Sequence, residues 1–222
     1  VEETARMLVD AEYPVLVADR LARTPRGMTL LVELAETLQA AVIDRGSRLN
    51  FPTRHPLNQT HLYSNGPPPM NRVVIPQADV ILGLEVMDFW STVNVLRDQV
   101  HRSISRIAKS DAKLISITTG DLYIRSNYQD FRRMQEVDLA IAADGEATLP
   151  SLIEAVNRLT TRARRRAFGE RGERLAAASR VADEESRKAA SYGWDASPVS
   201  TARLCAELWA QIKDEDWSLV SS

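Results

Sequence analysis

The sequence is poor in the residues that mark several classes of protein. It has one cysteine, Cys205, which leaves an internal disulfide without a second thiol and excludes a zinc site built from cysteines. No apolar run approaches the ~20 residues that a membrane-spanning helix requires. The formal net charge of -2 gives the chain as a whole no attraction to nucleic acid or to an anionic membrane. We therefore expect a soluble protein without nucleic-acid or membrane partners, and a cytoplasmic one because low cysteine content suits a reducing compartment.

Motifs of the common catalytic classes are missing as well. No serine lies in a Gly-x-Ser-x-Gly motif, and the spacing of His55, His61 and His101 does not suit a helical pair of metal ligands. The turn after the first apolar run reads Asp19-Arg20-Leu21, where a dinucleotide-binding fingerprint requires glycines. From its residues, the sequence predicts no catalytic constellation and no metal site of its own.

A strand, a helix and a second strand are predicted between residues 13 and 44. Residues 14–18 form an unbroken apolar run, which is typical of a strand buried on both faces. Residues 28–39 carry one apolar stripe at helical spacing, and residues 40–43 return as a second apolar run. Two strands joined by a crossover helix are expected to be parallel neighbours in a right-handed unit.

The same alternation continues to residue 160. Further strands are predicted at residues 79–84, 113–117 and 137–142, and further helices at residues 1–11, 90–105 and 149–159. This order predicts an α/β fold of the Rossmann-like type. We expect a doubly wound, mostly parallel sheet of five to six strands with helices on both faces, followed by a C-terminal helical extension.

The composition changes after residue 160. Seven arginines lie between Arg158 and Arg174, and residues 161–192 are expected to form a solvated helical linker. Nucleic-acid binding by this stretch is rejected because an acidic run, 183–185, follows at once. A last helix is predicted at 202–212, and a strand is predicted to begin at 216–220.

The residues to consider for binding are those at the ends of the predicted strands. In an open parallel sheet, ligands bind beyond the carboxyl ends of the strands, where helix N-termini present unpaired N–H groups. The candidate cofactor-binding residues at these positions are Asp19, Arg20, Gly83, Thr118 and Asp144. The carboxylate of Asp19 would repel a phosphate, although Arg20 could offset it, so a purely structural role for these residues stays open.

Several stretches in order resemble a known family. The matching stretches are residues 13–18, 34–42, 50–57, 78–84, Asp144 and 149–152, with the run Phe51-Pro52-Thr53-Arg54-His55-Pro56-Leu57 and the strand Ala78-Asp79-Val80-Ile81-Leu82 as the more specific ones. Together they resemble the central domain of thiamine-diphosphate-dependent enzymes of the acetolactate synthase type. The resemblance covers residues 1–160, and residues 193–222 look like the start of the family's diphosphate-binding domain.

The resemblance implies a place within a larger enzyme. The parent would be a lyase, decarboxylase or carboligase whose thiamine diphosphate and Mg²⁺ are bound by other domains, so this piece would be inactive alone. A start at Val1-Glu2-Glu3 without methionine fits the expectation of a piece of a longer polypeptide. Relatives pack this domain between the two flanking domains, which would be its partners, and we expect a homo-oligomer. Some relatives hold FAD or an adenine nucleotide in this domain.

Two functions from different classes follow, and a third is an alternative to both. The first is a structural and interaction domain without nucleotide, because the family's Leu-Gly-Ala-Arg motif reads Leu84-Glu85-Val86-Met87 here and its first glycine-rich turn is replaced. The second is a nucleotide-binding module that holds FAD or the ADP part of coenzyme A at the five candidate residues. A stand-alone Rossmann-type protein unrelated to thiamine is the third.

Overall fold

A computed structural model describes residues 1–45, 48–60, 73–98, 100, 103–120 and 134–217. The chain divides into two compact units, Val1–Ser179 and Arg180–Ser222. Within the described residues, none of the helices combines the length and the hydrophobicity that crossing a membrane would take.

The first unit is built around a five-stranded parallel sheet, as predicted. Its strands are β1 (Pro14–Ala18), β2 (Ala41–Asp44), β3 (Val80–Leu84), β6 (Lys113–Thr118) and β7 (Leu139–Ala142), in the order β2-β1-β3-β6-β7. The interior strand β1 is fully buried, and its Leu16 lies opposite Val42 on one side and Leu82 on the other. A single parallel bridge between Val42 and Asn58 extends the sheet beyond β2. The prediction of a doubly wound sheet of five to six strands is confirmed.

Three of the helices of this unit begin at side-chain caps. The helices are α1 (Glu2–Asp10), α2 (Pro25–Leu38), the short α3 (Phe89–Val93), α4 (Gly145–Leu159) and α5 (Arg162–Ser191), and α5 continues into the second unit. The Thr24 hydroxyl accepts the Gly27 N–H at the start of α2, and the Asp144 carboxylate accepts the Ala147 N–H at the start of α4. Helix α4 packs against both α1 and α2, so these three helices cover the sheet together.

The helix predicted at residues 90–105 is wrong after its first turn. The chain instead forms α3 and then an antiparallel hairpin of β4 (Asn94–Asp98) and β5 (Ser103–Arg106). At the end of helix α3, the Trp90 carbonyl accepts both the backbone N–H of Asn94 and its side-chain amide, the latter at 3.0 Å. Of the intended apolar stripe, Val93 lies in the core, whereas Val100 is 85% exposed and Ile104 is 41% exposed.

Helix α5 is present where a solvated helical linker was predicted, but one face of its first part is buried. Phe168, Arg171 and Leu175 are buried in the first unit. The second unit contains α6 (Thr201–Ile212), in which no residue is buried. Of the strand predicted at 216–220, Asp216 and Trp217 lie in no strand, and the remaining positions are outside the described residues.

Candidate functional site

The carboxyl edge of the sheet, where β1, β3, β6 and β7 end, is the region that the sequence selects for binding. At its centre lies Glu85, the residue after β3, which is 6% exposed. Its Oε1 accepts the N–H of Gly145 at 2.8 Å, and its Oε2 accepts the Thr118 hydroxyl at 3.0 Å and the Thr119 N–H at 3.2 Å. Glu85 therefore puts a negative charge on the N-terminus of α4, which is the position that favours an anion.

A second carboxylate lies at the N-terminus of α2. Glu146 accepts the N–H of Arg23 at 2.7 Å, the N–H of Thr24 at 3.2 Å and the Thr24 hydroxyl at 2.5 Å. The hydrogen bond from the Thr24 hydroxyl, together with the two N–H donors, holds the pKa of Glu146 below its ordinary value of 4.5, although partial burial acts in the opposite direction. Both helices that start at this edge are thus capped by carboxylates of the same domain.

Two glycines make room for these carboxylates. A Cβ on Gly27 would lie 2.5 Å from Oε2 of Glu146 and 3.1 Å from the Cα of Ala22. A Cβ on Gly145 would lie 3.0 Å from Cγ of Glu85 and 2.8 Å from a methyl group of Leu21. Contacts this short are crowded, so the first turn of each helix contains a glycine where a carboxylate approaches its backbone closely.

Arg23 supplies the positive charge of the edge. Its guanidinium donates to the Asp144 carboxylate at 2.5 Å and lies 3.5 Å from Oε1 of Glu85. Because the Arg23 side chain is 41% exposed, solvent screens both ion pairs and their contribution to stability is small. Its structural effect is to join the loop after β1 to the start of α4.

Asp19 and Arg20 lie one loop away from this cluster. The Asp19 side chain is 4% exposed and accepts the Met87 N–H at 3.1 Å, while its other carboxylate oxygen has no hydrogen bond to the part of the chain that the structure describes. Arg20 is exposed, and its N–H donates to the Glu85 carbonyl at 3.3 Å. Both residues therefore hold the loop after β3 against the end of β1.

The structure brings two of the five predicted residues together, namely Thr118 and Asp144, which meet around Glu85 and Arg23. Gly83 is separate from them because it lies inside β3, where an added Cβ would be 3.4 Å from Phe89 and from Val86. An added methyl group at Gly83 would therefore make close but ordinary van der Waals contacts with the core.

Sequence reasoning missed Glu85, Glu146 and Asn50 as organisers of the edge. Asn50 is fully buried, and its amide donates to the Asp19 carbonyl at 2.6 Å and to the Asp44 carboxylate at 2.9 Å. Its side-chain oxygen accepts the Ala22 N–H at 2.9 Å. The available clue was position in the sequence. Glu85 directly follows a strand, as Asp19 does, and Asn50 lies in the loop after β2.

An open groove of about 400 Å³ runs beside the cluster. Its lining residues are Arg23, Thr24, Arg26, Leu30, Asp144, Glu146, Ala147 and Pro150. No three histidine, cysteine or carboxylate side chains converge as metal ligands anywhere in the described ranges. His61 and His101 are outside those ranges, and His55 is bonded to Glu36 and to the Leu57 N–H. The described residues therefore do not fit a Mg²⁺ ion.

Comparison with known families agrees with this architecture. The family model of the thiamine pyrophosphate enzyme central domain matches residues 1–152, which contain the whole sheet and most of α4. The chain belongs to this family. No curated protein is similar enough to this thiamine pyrophosphate enzyme central domain to count as a match.

Solved structures similar to this central domain include two bacterial proteins. One, from Mycobacterium smegmatis, is described as a thiamin diphosphate-dependent enzyme and is 20% identical, with a TM-score of 0.44 over 70% of this chain and 27% of the other. The second is the thiamine diphosphate-dependent 4-hydroxybenzoylformate decarboxylase of Rhodococcus jostii RHA1, at 23% identity and a TM-score of 0.40 over 69% of this chain and 26% of the other. The central domain thus spans about a quarter of the length of these two proteins.

Proposed function

We propose that this chain is the central structural and interaction domain of a thiamine-diphosphate-dependent lyase, decarboxylase or carboligase, and that it is inactive alone. Thiamine diphosphate and Mg²⁺ would be held by other domains of a longer polypeptide, with residues 193–222 as the start of the diphosphate-binding one. Its partners would be those flanking domains and further copies of the chain in a homo-oligomer. The low cysteine content supports a cytoplasmic location.

The observation that carries this proposal is the hydrogen bond from the Gly145 N–H to the Glu85 carboxylate, 2.8 Å long. In nucleotide-binding sheets of this kind, the N-terminus of a helix at the carboxyl edge binds a phosphate. Here a buried carboxylate of the domain itself has that position, and a phosphate brought to it would meet a like charge. Glu85 also has a φ of +52°, the left-handed conformation that favours the glycine of the family motif.

A nucleotide-binding module is the second candidate, and one observation favours it. The groove of about 400 Å³ beside Asp144 is lined by Arg23 and Arg26, whose guanidinium groups could pair with the phosphates of FAD or of the ADP part of coenzyme A. Asp19, Arg20, Thr118 and Asp144 would then line the approach, with Gly83 behind them in β3. The carboxylates of Glu85 and Glu146 oppose this function electrostatically.

Thermal unfolding with added ligands distinguishes the two functions. A ligand present at about 100 times its Kd raises the stability of the folded chain by about 2.7 kcal/mol. For a chain of this size, that gain raises Tm by roughly 5 to 10 °C. We expect no such rise with millimolar FAD, ADP or coenzyme A, and none with thiamine diphosphate and Mg²⁺.

A rise in Tm with FAD, ADP or coenzyme A would contradict the structural function and support the second candidate. The variant Asp144→Asn is the matched control for that outcome, because it removes the charge next to Arg23 while an amide still caps α4. A nucleotide bound at this edge would lose or change its effect on the Tm of this variant.

A further inference from the structure

The first part of α5 is held to the sheet domain by a buried arginine. The Arg171 side chain is 2% exposed, and its guanidinium donates to the carbonyls of Gln39 at 2.9 Å, Ala11 at 3.0 Å and Glu12 at 3.0 Å. A further N–H of the same group donates to the Leu38 carbonyl. These carbonyls lie at the ends of α1 and α2, where a helix leaves its last carbonyls without partners.

Arg164 makes a similar contact seven residues earlier in the helix. It donates to the carbonyls of Val9 and Ala11, both at 2.7 Å. The ring of Phe168 lies between the two arginines, with guanidinium carbons 5.4 Å and 4.7 Å from its centre. Arg164, Phe168 and Arg171 are spaced four and three residues apart, so they form one face of the helix.

A second polar contact holds the other end of this stretch. The fully buried amide of Gln59 donates to the Leu175 carbonyl at 3.2 Å and to the Ser179 hydroxyl at 2.8 Å. The Ser179 hydroxyl in turn donates to the Pro56 carbonyl at 3.0 Å. The stretch from 162 to 179 is therefore anchored at both ends by hydrogen bonds to main-chain groups.

Few other contacts among the described residues hold this stretch to the sheet domain. Its large buried apolar side chains are Phe168 and Leu175. Gly169 lowers its helix propensity without a packing reason, because an added Cβ there would meet no atom within 4 Å. Gly172 lowers it further, and it is needed because its Cβ would overlap the side chain of Gln39. Burial, with repulsion from Arg164, lowers the pKa of Arg171 to about 10, which reflects the cost of keeping this charge out of water.

We propose that residues 162–179 form a strap that undocks from the sheet domain as one unit while the sheet stays folded, and that Arg171 is its latch. Undocking leaves the core of the sheet intact because that core is made almost entirely of residues before 160. A helix without its packing partners is only marginally stable in water, so the amides of the undocked strap become open to exchange. The domain thus has a strap-docked and a strap-released state, separated by less free energy than global unfolding.

Native-state hydrogen exchange of the 222-residue chain, read by mass spectrometry, tests this proposal. Amides of residues 162–179 are expected to exchange on the order of a hundredfold faster than those of β1 and β3. Arg171→Lys keeps the charge but loses the forked donors, so strap exchange should accelerate roughly tenfold with β1 unchanged. Arg166→Lys is the matched control, because Arg166 is exposed on the same helix and pairs with Glu170 alone among the described residues.

Gly169→Ala tests the strap in the opposite direction without touching the latch. The added methyl group enters open space and raises helix propensity, so strap exchange should slow about fivefold. Equal exchange rates for the strap and for β1 would overturn the proposal, and so would equal effects of Arg171→Lys and Arg166→Lys. An unchanged strap in Gly169→Ala would also overturn it, even if Arg171→Lys fails to fold.

Discussion

The two edges of the sheet are finished with opposite charges. At the carboxyl edge, Glu85 and Glu146 accept N–H groups at the starts of α4 and α2. At the amino edge, Arg164 and Arg171 donate to carbonyls at the ends of α1 and α2. Each charge has the sign that the helix dipole favours at its position.

The two edges differ in which group would otherwise bond to the helix ends. A helix N-terminus at the carboxyl edge is where related folds bind anionic ligands, so the carboxylates here have the position that such a ligand takes in those folds. The ends of α1 and α2 at the amino edge bind no ligand in such folds, and their carbonyls need a donor under any circumstances. The arginines are therefore part of the folding of the domain, whereas the carboxylates also bear on what it can bind.

The largest effect is expected from substitution of the two glycines at the carboxyl edge. Gly145→Ala brings a methyl group within 3.0 Å of Glu85 and 2.8 Å of Leu21, so we expect a loss of about 2 kcal/mol in unfolding free energy. Gly27→Ala should act in the same direction because Glu146 and the Ala22 backbone leave no space. Gly169→Ala in α5 should instead stabilise by about 0.5 to 1 kcal/mol. Urea unfolding of the three variants measures these changes in unfolding free energy. Equal effects of all three substitutions would mean that glycines at the carboxyl edge and in α5 do not differ.

The strands were predictable because their sequence pattern has one physical cause. Residues 14–18 and 80–84 are apolar without interruption, and a run of that kind is stable as a strand covered on both faces. The cluster around Glu85 was not predictable in this way. Its partners, Thr118 and Gly145, are 33 and 60 residues further along the chain, and they meet Glu85 through the order β3-β6-β7, which the pattern does not encode.

Two other features could not be recognised from the sequence pattern. Arg171 looked like one of seven solvated arginines because an exposed and a buried arginine read alike when the acceptors are main-chain carbonyls. The hairpin after α3 was hidden because Val93, Leu96 and Ile104 fit helical spacing. The pairing of Leu96 with Ile104 across the hairpin fits the same residues equally well.

An intermediate effect is expected from the charge of Glu85. In Glu85→Gln the side chain keeps its size, but an amide N–H₂ replaces one oxygen and faces either the Gly145 N–H or the Thr119 N–H, both of which are donors. We expect a loss of about 1 to 2 kcal/mol, measured by urea unfolding at neutral pH. Glu170→Gln is the control, since Glu170 is exposed on α5 and its pair with Arg166 should contribute about 0.5 kcal/mol or less. A loss in Glu85→Gln no larger than this control would mean that Glu85 behaves as a surface carboxylate.

The smallest expected effect is the pH dependence of the stability that Glu146 contributes. It distinguishes the two edges because only the contribution of the carboxyl edge should change in acid. The pKa of Glu146 is lower in the folded chain than its ordinary value of 4.5, first because of the Thr24 hydroxyl, so the carboxylate stabilises the fold above that value. This stabilisation is lost as the pH falls below 4.5 through the folded-state pKa, and for a partly exposed group we expect it to stay under about 1 kcal/mol. Thermal unfolding of the wild type and Glu146→Gln between neutral and acidic pH should give curves that converge in acid. The arginines stay protonated over that whole range, so Arg171→Lys should keep a constant offset from the wild type. Convergence of the Arg171→Lys curve as well would mean that acid loosens both edges together, and the charges would then not act independently.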